Sequence, residues 1–218
     1  MPLPRRFALW AFLCSLAFLQ ACAHTPATLT LFEALGVGKS VDAINLNPKL
    51  SYLRVAGPNK VVLMVLGYSE PSDQGNLETW YSSAGEVLQL QNGRVVSTVG
   101  FQPDWRKVSY KHLPSWQQMA NTDKAEFERV RDQMPAYQFG ITESIRLYNV
   151  APPTQSKLKN FSATSLRWFE EAVKGTVHGL PSARYGISYE TGQPVVVYGE
   201  QCFSEDVCIS WQKWPASF

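Results

Sequence analysis

The dipeptide Asn92-Gly93 restricts the fold of this chain more than any other feature of its sequence. It lies between "EVLQLQ" and "RVVSTVGF", two runs in which apolar and polar residues alternate. Alternation predicts strands with one buried face, and both residues of the dipeptide tolerate the positive φ angles of a two-residue hairpin turn. The sequence therefore predicts an antiparallel hairpin here, with Leu88 and Leu90 on one face of its first strand.

Strand patterns fill most of the remaining chain after residue 50. "LSYLRVAG" alternates, "KVVLMVLGY" is a continuous apolar run, and "ARYGISYE" and "PVVVYGEQC" flank a turn at Thr191-Gly192. "VCISWQKW" is predicted to pair back on the preceding strand. "SLRWFEEAV" fits a strand or a helix, and its aromatic residues favour the strand. About ten strands with short connections predict one mainly β domain of antiparallel strands, a strongly curved sheet or half-open barrel, with a β-sandwich as the alternative.

Two or three short helices are expected beside this sheet. One is predicted over residues 29–35, and another over "NTDKAEFERVRDQM", where Thr122 can cap a helix. Three apolar residues of that segment recur at helical spacing: Phe127, Val130 and Met134. The segment "GVGKS" after the first helix imitates a phosphate-binding loop. That motif requires a glycine where this chain has Glu33, so no nucleotide site is predicted.

The amino terminus has the pattern of a secretory leader. Arg5 and Arg6 precede the apolar run "FALWAFLCSLAFL", which is shorter than the roughly 20 residues of a membrane-spanning helix. The next residues, "LQAC" at positions 19–22, resemble the lipobox of bacterial lipoproteins. In those proteins a peptidase cuts before the cysteine, and the sulfur and the new amino terminus are acylated. An ordinary signal peptide with a chance cysteine near its cleavage site is the alternative.

The lipobox divides the chain into three parts. We expect a signal peptide over 1–21 that is removed, a lipidated tether over 22–30 and a single β-rich domain over 31–218. Cys22 is then the site of lipid attachment. Ala23 follows it in place of aspartate, and by resemblance to lipoproteins of double-membraned bacteria this indicates the outer membrane, with the domain on its periplasmic side.

Charge and cysteine content narrow the class of protein further. The leader holds two of the 20 basic residues and none of the 18 acidic ones, so the mature chain is nearly neutral and lacks the basic footprint of a nucleic-acid-binding protein. Cys14 leaves with the leader. Cys202 and Cys208 remain as an even pair in an oxidising compartment, which predicts a disulfide.

The block from residue 50 to 101 contains Trp80, the turn Ala84-Gly85-Glu86, the turn Asn92-Gly93-Arg94 and the strand "VSTVGF". In these motifs it resembles the GfcB/YjbF family of capsule and exopolysaccharide lipoproteins. Ala84 stands where the family has an aspartate. The lipobox and the late aromatic strands with paired cysteines also fit. The family implies a role in exporting or assembling surface polysaccharide, with other export proteins or the polymer as partners, and it supplies no catalytic residues.

The residues themselves give no reason to predict an enzyme. The three histidines, His24, His112 and His178, lack metal-binding spacing, and no nucleophile elbow occurs. Glu170 and Glu171 are adjacent, so on a strand they face opposite sides and cannot act as an acid–base pair. We predict no catalytic residue, metal or cofactor.

The aromatic residues offer the best binding hypothesis. Trp80 and Trp105 are candidates for stacking on sugar rings, although most such residues in β proteins lie in the core. The favoured function is a non-enzymatic accessory role in capsule or exopolysaccharide export. The alternative is a periplasmic carrier of lipids or other hydrophobic ligands, since a curved sheet can enclose an apolar cavity.

Overall fold

The computed structural model describes residues 41–175 and 179–215. The chain divides into two compact units, one up to Leu46 and the other from Asn47 onward. In the first unit the described part contains a short 3₁₀ turn, η1, at Val41–Ala43. The predicted signal peptide, the tether with Cys22 and the helix over 29–35 lie outside the described residues.

Twelve strands make up nearly all the regular structure of the described part of the second unit. Their bounds are β1 Tyr52–Ala56, β2 Val61–Glu70, β3 Leu77–Tyr81, β4 Val87–Gln91, β5 Arg94–Val99, β6 Asp104–Lys111, β7 Lys124–Met134, β8 Gln138–Val150, β9 Arg167–Val173, β10 Ala183–Ser188, β11 Val195–Cys202 and β12 Cys208–Trp214. The described helical segments are η1, the single α-helical turn α1 at Trp116–Met119 and a second 3₁₀ turn, η2, at Ala163–Ser165.

All twelve strands belong to one antiparallel sheet that is nearly closed into a barrel. The order is β5-β4-β3-β2-β1-β12-β11-β10-β9-β8-β7-β6, so the first and last strands are neighbours and β5 and β6 form the edges. Side-chain hydrogen bonds join these edges: the Trp105 amide donates to Thr98 Oγ1 at 2.9 Å, and Ser97 Oγ donates to the Arg106 carbonyl at 3.1 Å. The mainly β prediction of a curved sheet or half-open barrel is confirmed, and the sandwich alternative is wrong.

The predicted hairpin forms at Asn92-Gly93, which connects β4 to β5. Both residues have positive φ, 48° and 81°, as a two-residue turn of this kind requires. Gly93 is also needed for space, because a Cβ at this position would lie 2.4 Å from the Cβ of Val196. The predicted strands of β9 to β12 and the turn at Thr191-Gly192 are likewise present.

The predicted helix over "NTDKAEFERVRDQM" is wrong, because most of this segment is strand β7. Its buried positions alternate as in any strand, but two of them are the arginines Arg129 and Arg131. A search for apolar periodicity misses charged residues that face inward. Phe127, Val130 and Met134 are spaced as on one side of a helix, yet Phe127 lies in the core while Val130 and Met134 are only half-buried.

Side chains fill the space that the sheet encloses. The main core cluster includes Trp80, Trp105, Trp116, Tyr185 and Trp211. A smaller cluster around Trp168 and Tyr198 forms where the segment 151–166 packs on the outside of the sheet. This segment is held by hydrogen bonds such as that from the Lys159 amide to Gln212 Oε1, 2.9 Å. The two clusters contain five of the seven tryptophans.

Cys202 and Cys208 form the predicted disulfide. They are also cross-strand partners, at the end of β11 and the start of β12. A loop this short stabilises the fold by about 2 kcal/mol on the chain-entropy model. The disulfide therefore reinforces the turn that precedes the last strand.

Candidate functional site: a carboxamide cleft above an ionic core

The antiparallel order places alternate loops at opposite ends of the barrel. The loops that follow odd-numbered strands lie at one end, which we call the disulfide end because it contains the loop closed by Cys202 and Cys208. The loops that follow even-numbered strands lie at the other, the α1 end, because the connection from β6 to β7 carries α1. Each end has an open depression, and the two differ in chemistry.

The depression at the α1 end is a polar cleft of about 760 Å³. Six of its fourteen lining residues have amide side chains, and we call it the carboxamide cleft for these residues: Gln74, Asn92, Gln117, Gln118, Asn121 and Gln193. Trp116 and Arg94 also line it, and Asp73 contributes a carboxylate from the exposed β2–β3 loop. Carboxamides both donate and accept hydrogen bonds, so the lining can satisfy a ligand that does both.

Helix α1 is built into one wall of this cleft by local capping. Ser115 Oγ accepts from the amide of Gln118, and Gln118 Oε1 accepts from the amide of Ser115 at 2.8 Å, which is a complete capping box. Trp116 then points into the barrel, where it is fully buried and donates from Nε1 to the Asn92 carbonyl at 2.9 Å. Tyr189 OH donates to the Trp116 carbonyl, also at 2.9 Å.

Beneath Trp116 lies an ion pair inside the barrel. Arg94, the first residue of β5, donates from Nε to Glu171 Oε1 at 2.7 Å, and each side chain is 1% exposed. Tyr185 OH donates to Glu171 Oε2 at 3.3 Å. Burial and the neighbouring Glu171 carboxylate raise the pKa of Tyr185 well above its ordinary value. The Tyr185 hydroxyl therefore keeps its proton and remains a donor.

Arg94 uses only part of its hydrogen-bonding capacity. Its guanidinium carbon lies 3.6 Å from the centre of the Trp116 ring, a close cation–π contact. Nη1 and Nη2 are buried and have no hydrogen-bond partner among the described residues. A buried charged donor without an acceptor is costly and uncommon in native proteins. Arg94 is thus the residue of this site whose interactions are incomplete.

A second ionic cluster lies nearer the disulfide end. Glu143 on β8 accepts from Arg129 Nε at 2.8 Å and from Arg131 Nε at 3.1 Å, and both guanidinium groups lie about 5 Å from the centre of the Trp105 ring. Burial alone would raise the pKa of Glu143, but Arg129 and Arg131 outweigh it and the pKa is lowered. The cluster is therefore ionised at neutral pH.

The Glu143 cluster predicts a pH dependence of stability. Because the folded-state pKa of Glu143 lies below its unfolded value of 4.5, its stabilisation is complete above about pH 4.5 and is lost as the pH falls through the folded pKa. We expect Glu143→Gln to be less stable than wild type at pH 7, with the difference in free energy of unfolding shrinking toward pH 3. Urea unfolding at several pH values measures this.

A matched control for this experiment is Glu70→Gln, in an exposed glutamate of β2. It should keep the wild-type pH dependence. A gap between Glu143→Gln and wild type that stays constant from pH 7 to pH 3 would contradict the assigned pKa direction.

The two tryptophans predicted to stack on sugars do not present a ring face to solvent. Trp80 is 1% exposed and Trp105 is fully buried. Trp80 packs beneath Lys213, whose Nζ lies 4.6 Å from its ring centre, and Trp105 packs edge-on against Phe203. Burial of large apolar area in strands explains both positions. The stacking prediction is corrected accordingly: neither ring is available to a polymer in this conformation.

The other candidate residues give no catalytic arrangement within 41–175 and 179–215. His112 is exposed, and His24 and His178 lie outside the described residues. No cluster of three or more potential metal ligands occurs in the described part of the chain. Glu170 and Glu171 face opposite sides of β9, as predicted: Glu170 accepts from Tyr148 OH on the outside, and Glu171 lies inside. Among the described residues, no helix has the length and apolar character needed to cross a bilayer.

Sequence reasoning missed the two residues that define the site. In the sequence Arg94 belongs to a turn motif, and Glu171 stands out only as the neighbour of Glu170. The signals that point to both are their positions: each lies at an inward position of a predicted strand, where a charged residue requires a buried partner of opposite charge. The capping pattern Ser115-x-x-Gln118 likewise predicts a helix start before Trp116.

Comparison with known proteins identifies a similar structure and a matching family. A search of curated proteins gave no match. A crystal structure of the hypothetical lipoprotein YmcC from Escherichia coli (K12) is similar, with a TM-score of 0.59 and 16% sequence identity over 90% of this chain and 100% of that one. The sequence profile of the group 4 capsule polysaccharide lipoproteins GfcB and YjbF matches residues 27–193. The chain therefore belongs to the GfcB/YjbF family of group 4 capsule polysaccharide lipoproteins.

Proposed function

We propose that this protein is a lipid-anchored accessory factor for the export or assembly of capsule or exopolysaccharide. Acyl chains on Cys22 hold it in the outer membrane with the β domain in the periplasm. The observation that carries the proposal is the family match over residues 27–193, directly after a lipobox at residues 19–22. It acts through contacts with other export proteins or with the polymer.

The chemistry of the described residues supports a non-enzymatic role. Each buried or nearly buried glutamate of the barrel is held by a cation: Glu171 by Arg94, Glu143 by Arg129 and Arg131, and Glu86 by Lys60. A general acid or base requires a proton that can be exchanged near the working pH. Burial raises the pKa of Glu86, but hydrogen bonds from Lys60 and Ser82 outweigh it and lower the pKa. These carboxylates are structural.

A carrier of hydrophobic ligands is the second candidate, because of one feature at the disulfide end. An apolar pocket of about 310 Å³ lies there, lined by Val55, Val62, Phe101, Val207 and Ile209. This volume is at the lower limit of the range for ligand-binding pockets. The barrel interior beneath the pocket is filled by side chains. A carrier would retain lipid through purification, which organic extraction and mass spectrometry would detect.

Deletion of the gene in a polymer-producing strain tests the proposed function. We expect surface polysaccharide to fall severalfold and polymer to accumulate inside the cell, since an export factor acts after synthesis. Both pools are measured by uronic acid or hexose assay after cell fractionation, and wild-type protein expressed from a plasmid should restore export. Unchanged surface polysaccharide in the deletion strain would contradict the proposal.

A further inference from the structure

The incomplete interactions of Arg94 indicate a missing acceptor. Its Nε is used by Glu171, while Nη1 and Nη2 are buried and without partners in the described chain. Trp116 covers one face of the guanidinium, with 3.6 Å between the guanidinium carbon and the ring centre. Stacking on the face leaves the in-plane N–H groups available, and this planar edge matches the two oxygens of a carboxylate.

The charges near Arg94 limit which anion could bind there. Three arginines, Arg94, Arg129 and Arg131, face two glutamates, Glu143 and Glu171, in the two ionic clusters. The one positive charge in excess belongs to the cluster in which Arg129 and Arg131 share Glu143, whereas the Arg94–Glu171 pair is itself neutral. Asp73 on the exposed loop of the carboxamide cleft would repel a multiply charged anion. This repulsion is weaker for a singly charged carboxylate than for a phosphate, so a carboxylate fits the cleft better.

The lining of the cleft indicates what carries the carboxylate. Six carboxamides surround the approach to Arg94, and five of them are exposed: Gln74, Gln117, Gln118, Asn121 and Gln193. Sugar hydroxyls also donate and accept, so carboxamides can bond several of them around one ring. A cleft of about 760 Å³ is large enough for a short saccharide.

We propose that the carboxamide cleft binds an acidic sugar residue of the exported polymer, with Nη1 and Nη2 of Arg94 holding its carboxylate. This inference rests on the proposed role in polysaccharide export. Because Arg94 is fully covered in the free protein, binding requires Trp116 and α1 to move aside. Two hydrogen bonds hold Trp116 in place, from its Nε1 to Asn92 and from Tyr189 to its carbonyl.

Tri-galacturonate and its methyl ester form a matched pair of probes. The ester keeps the rings and hydroxyls but removes the charge. We expect the acid to bind the purified mature protein and the ester to bind at least tenfold more weakly, since the ester cannot accept charge-assisted hydrogen bonds from Arg94. Titration calorimetry measures affinity. In ¹H–¹⁵N spectra the indole N–H resonance of Trp116, assigned with Trp116→Phe, should shift with the acid.

Variants locate the site. Arg94→Met alone leaves Glu171 buried without its cation, so the informative variant is the double substitution Arg94→Met/Glu171→Met, which replaces the pair by apolar residues of similar size. It should lose at least tenfold in affinity for the acid. Arg184→Met, in a half-exposed arginine paired with Glu200 on the strands β10 and β11, is the control and should bind as wild type.

Three results would overturn the inference: equal binding of acid and ester, wild-type affinity in the double variant, or an unmoved Trp116 resonance at saturation. If the double variant does not fold, the affinities of acid and ester and the shift of the Trp116 resonance still test whether the cleft binds the carboxylate. Binding of an acidic peptide in place of the saccharide would also overturn it in favour of a protein partner. If deletion of the gene abolishes export but the acid does not bind, the saccharide-binding inference fails and the proposed function stands. If the acid binds but deletion leaves export unchanged, the proposed function fails and the cleft remains a binding site for acidic sugars.

Discussion

Glu171→Gln is expected to lower the free energy of unfolding by about 3–5 kcal/mol, because it leaves the Arg94 guanidinium as an unpaired charge inside the barrel. The substitution keeps the shape of the side chain, but its one amide oxygen replaces only one of the two carboxylate acceptors, that for Arg94 Nε or that for Tyr185 OH. The loss therefore combines the missing charge with one missing hydrogen bond. Urea unfolding at pH 7, followed by tryptophan fluorescence, measures it.

Glu170→Gln is the matched control on the same strand. Glu170 lies on the outer face of β9, is only half-buried and accepts from Tyr148 OH at 2.6 Å. We expect it to cost no more than about 1 kcal/mol, the contribution of one ordinary hydrogen bond. The double substitution Arg94→Met/Glu171→Met should be far closer to wild type than Glu171→Gln alone. Equal effects of the two glutamine variants would contradict the buried ion pair.

Cys22→Ser is expected to move the protein from the membrane fraction to the soluble periplasmic fraction. Each buried methylene of an acyl chain contributes about 0.8 kcal/mol, and two or more chains give stable anchoring. Removing the sulfur removes the attachment point, so nearly all of this binding free energy is lost. Carbonate extraction of membranes followed by immunoblotting measures the distribution. Folding should be unchanged, because the described domain begins downstream of the tether.

Cys14→Ser is the control for the leader. Cys14 belongs to the predicted signal peptide, so its variant should remain anchored and be processed like wild type. Mass spectrometry of the native protein should find the new amino terminus at residue 22 with its acyl groups. A Cys22→Ser protein that resists carbonate extraction would show that something other than lipid on this cysteine holds it.

Most of the sheet was predictable because its strands follow simple rules. Asn92-Gly93 and Thr191-Gly192 mark hairpins, and the apolar faces of β2 and β11 are evident in the sequence. Strand β7 was missed because Arg129 and Arg131 occupy inward positions that apolar patterns do not reveal. Such residues become recognisable only when their partner, Glu143 on the next strand, is known.

The carboxamide cleft could not be predicted for a related reason. Its residues come from four connections that are far apart in sequence: Gln74, Asn92, Gln118 and Gln193 lie on different loops at the α1 end. No local sequence pattern shows that these residues meet. They meet because the loops after even-numbered strands of an antiparallel barrel lie at the same end. Arg94 follows a turn motif in the sequence, and its role becomes visible only beside Glu171, which is 77 residues later.

The pairing of the first strand with the last has a consequence for how the chain folds. Tyr52 on β1 lies opposite Trp214 on β12, so this contact cannot form until the whole polypeptide is available. The strands β1–β5 and β6–β12 are each meanders of sequential neighbours, whose hairpins close in microseconds, whereas joining distant segments is slow. We therefore expect two half-sheets to form rapidly and the pairing of β1 with β12 to be the late, rate-limiting step.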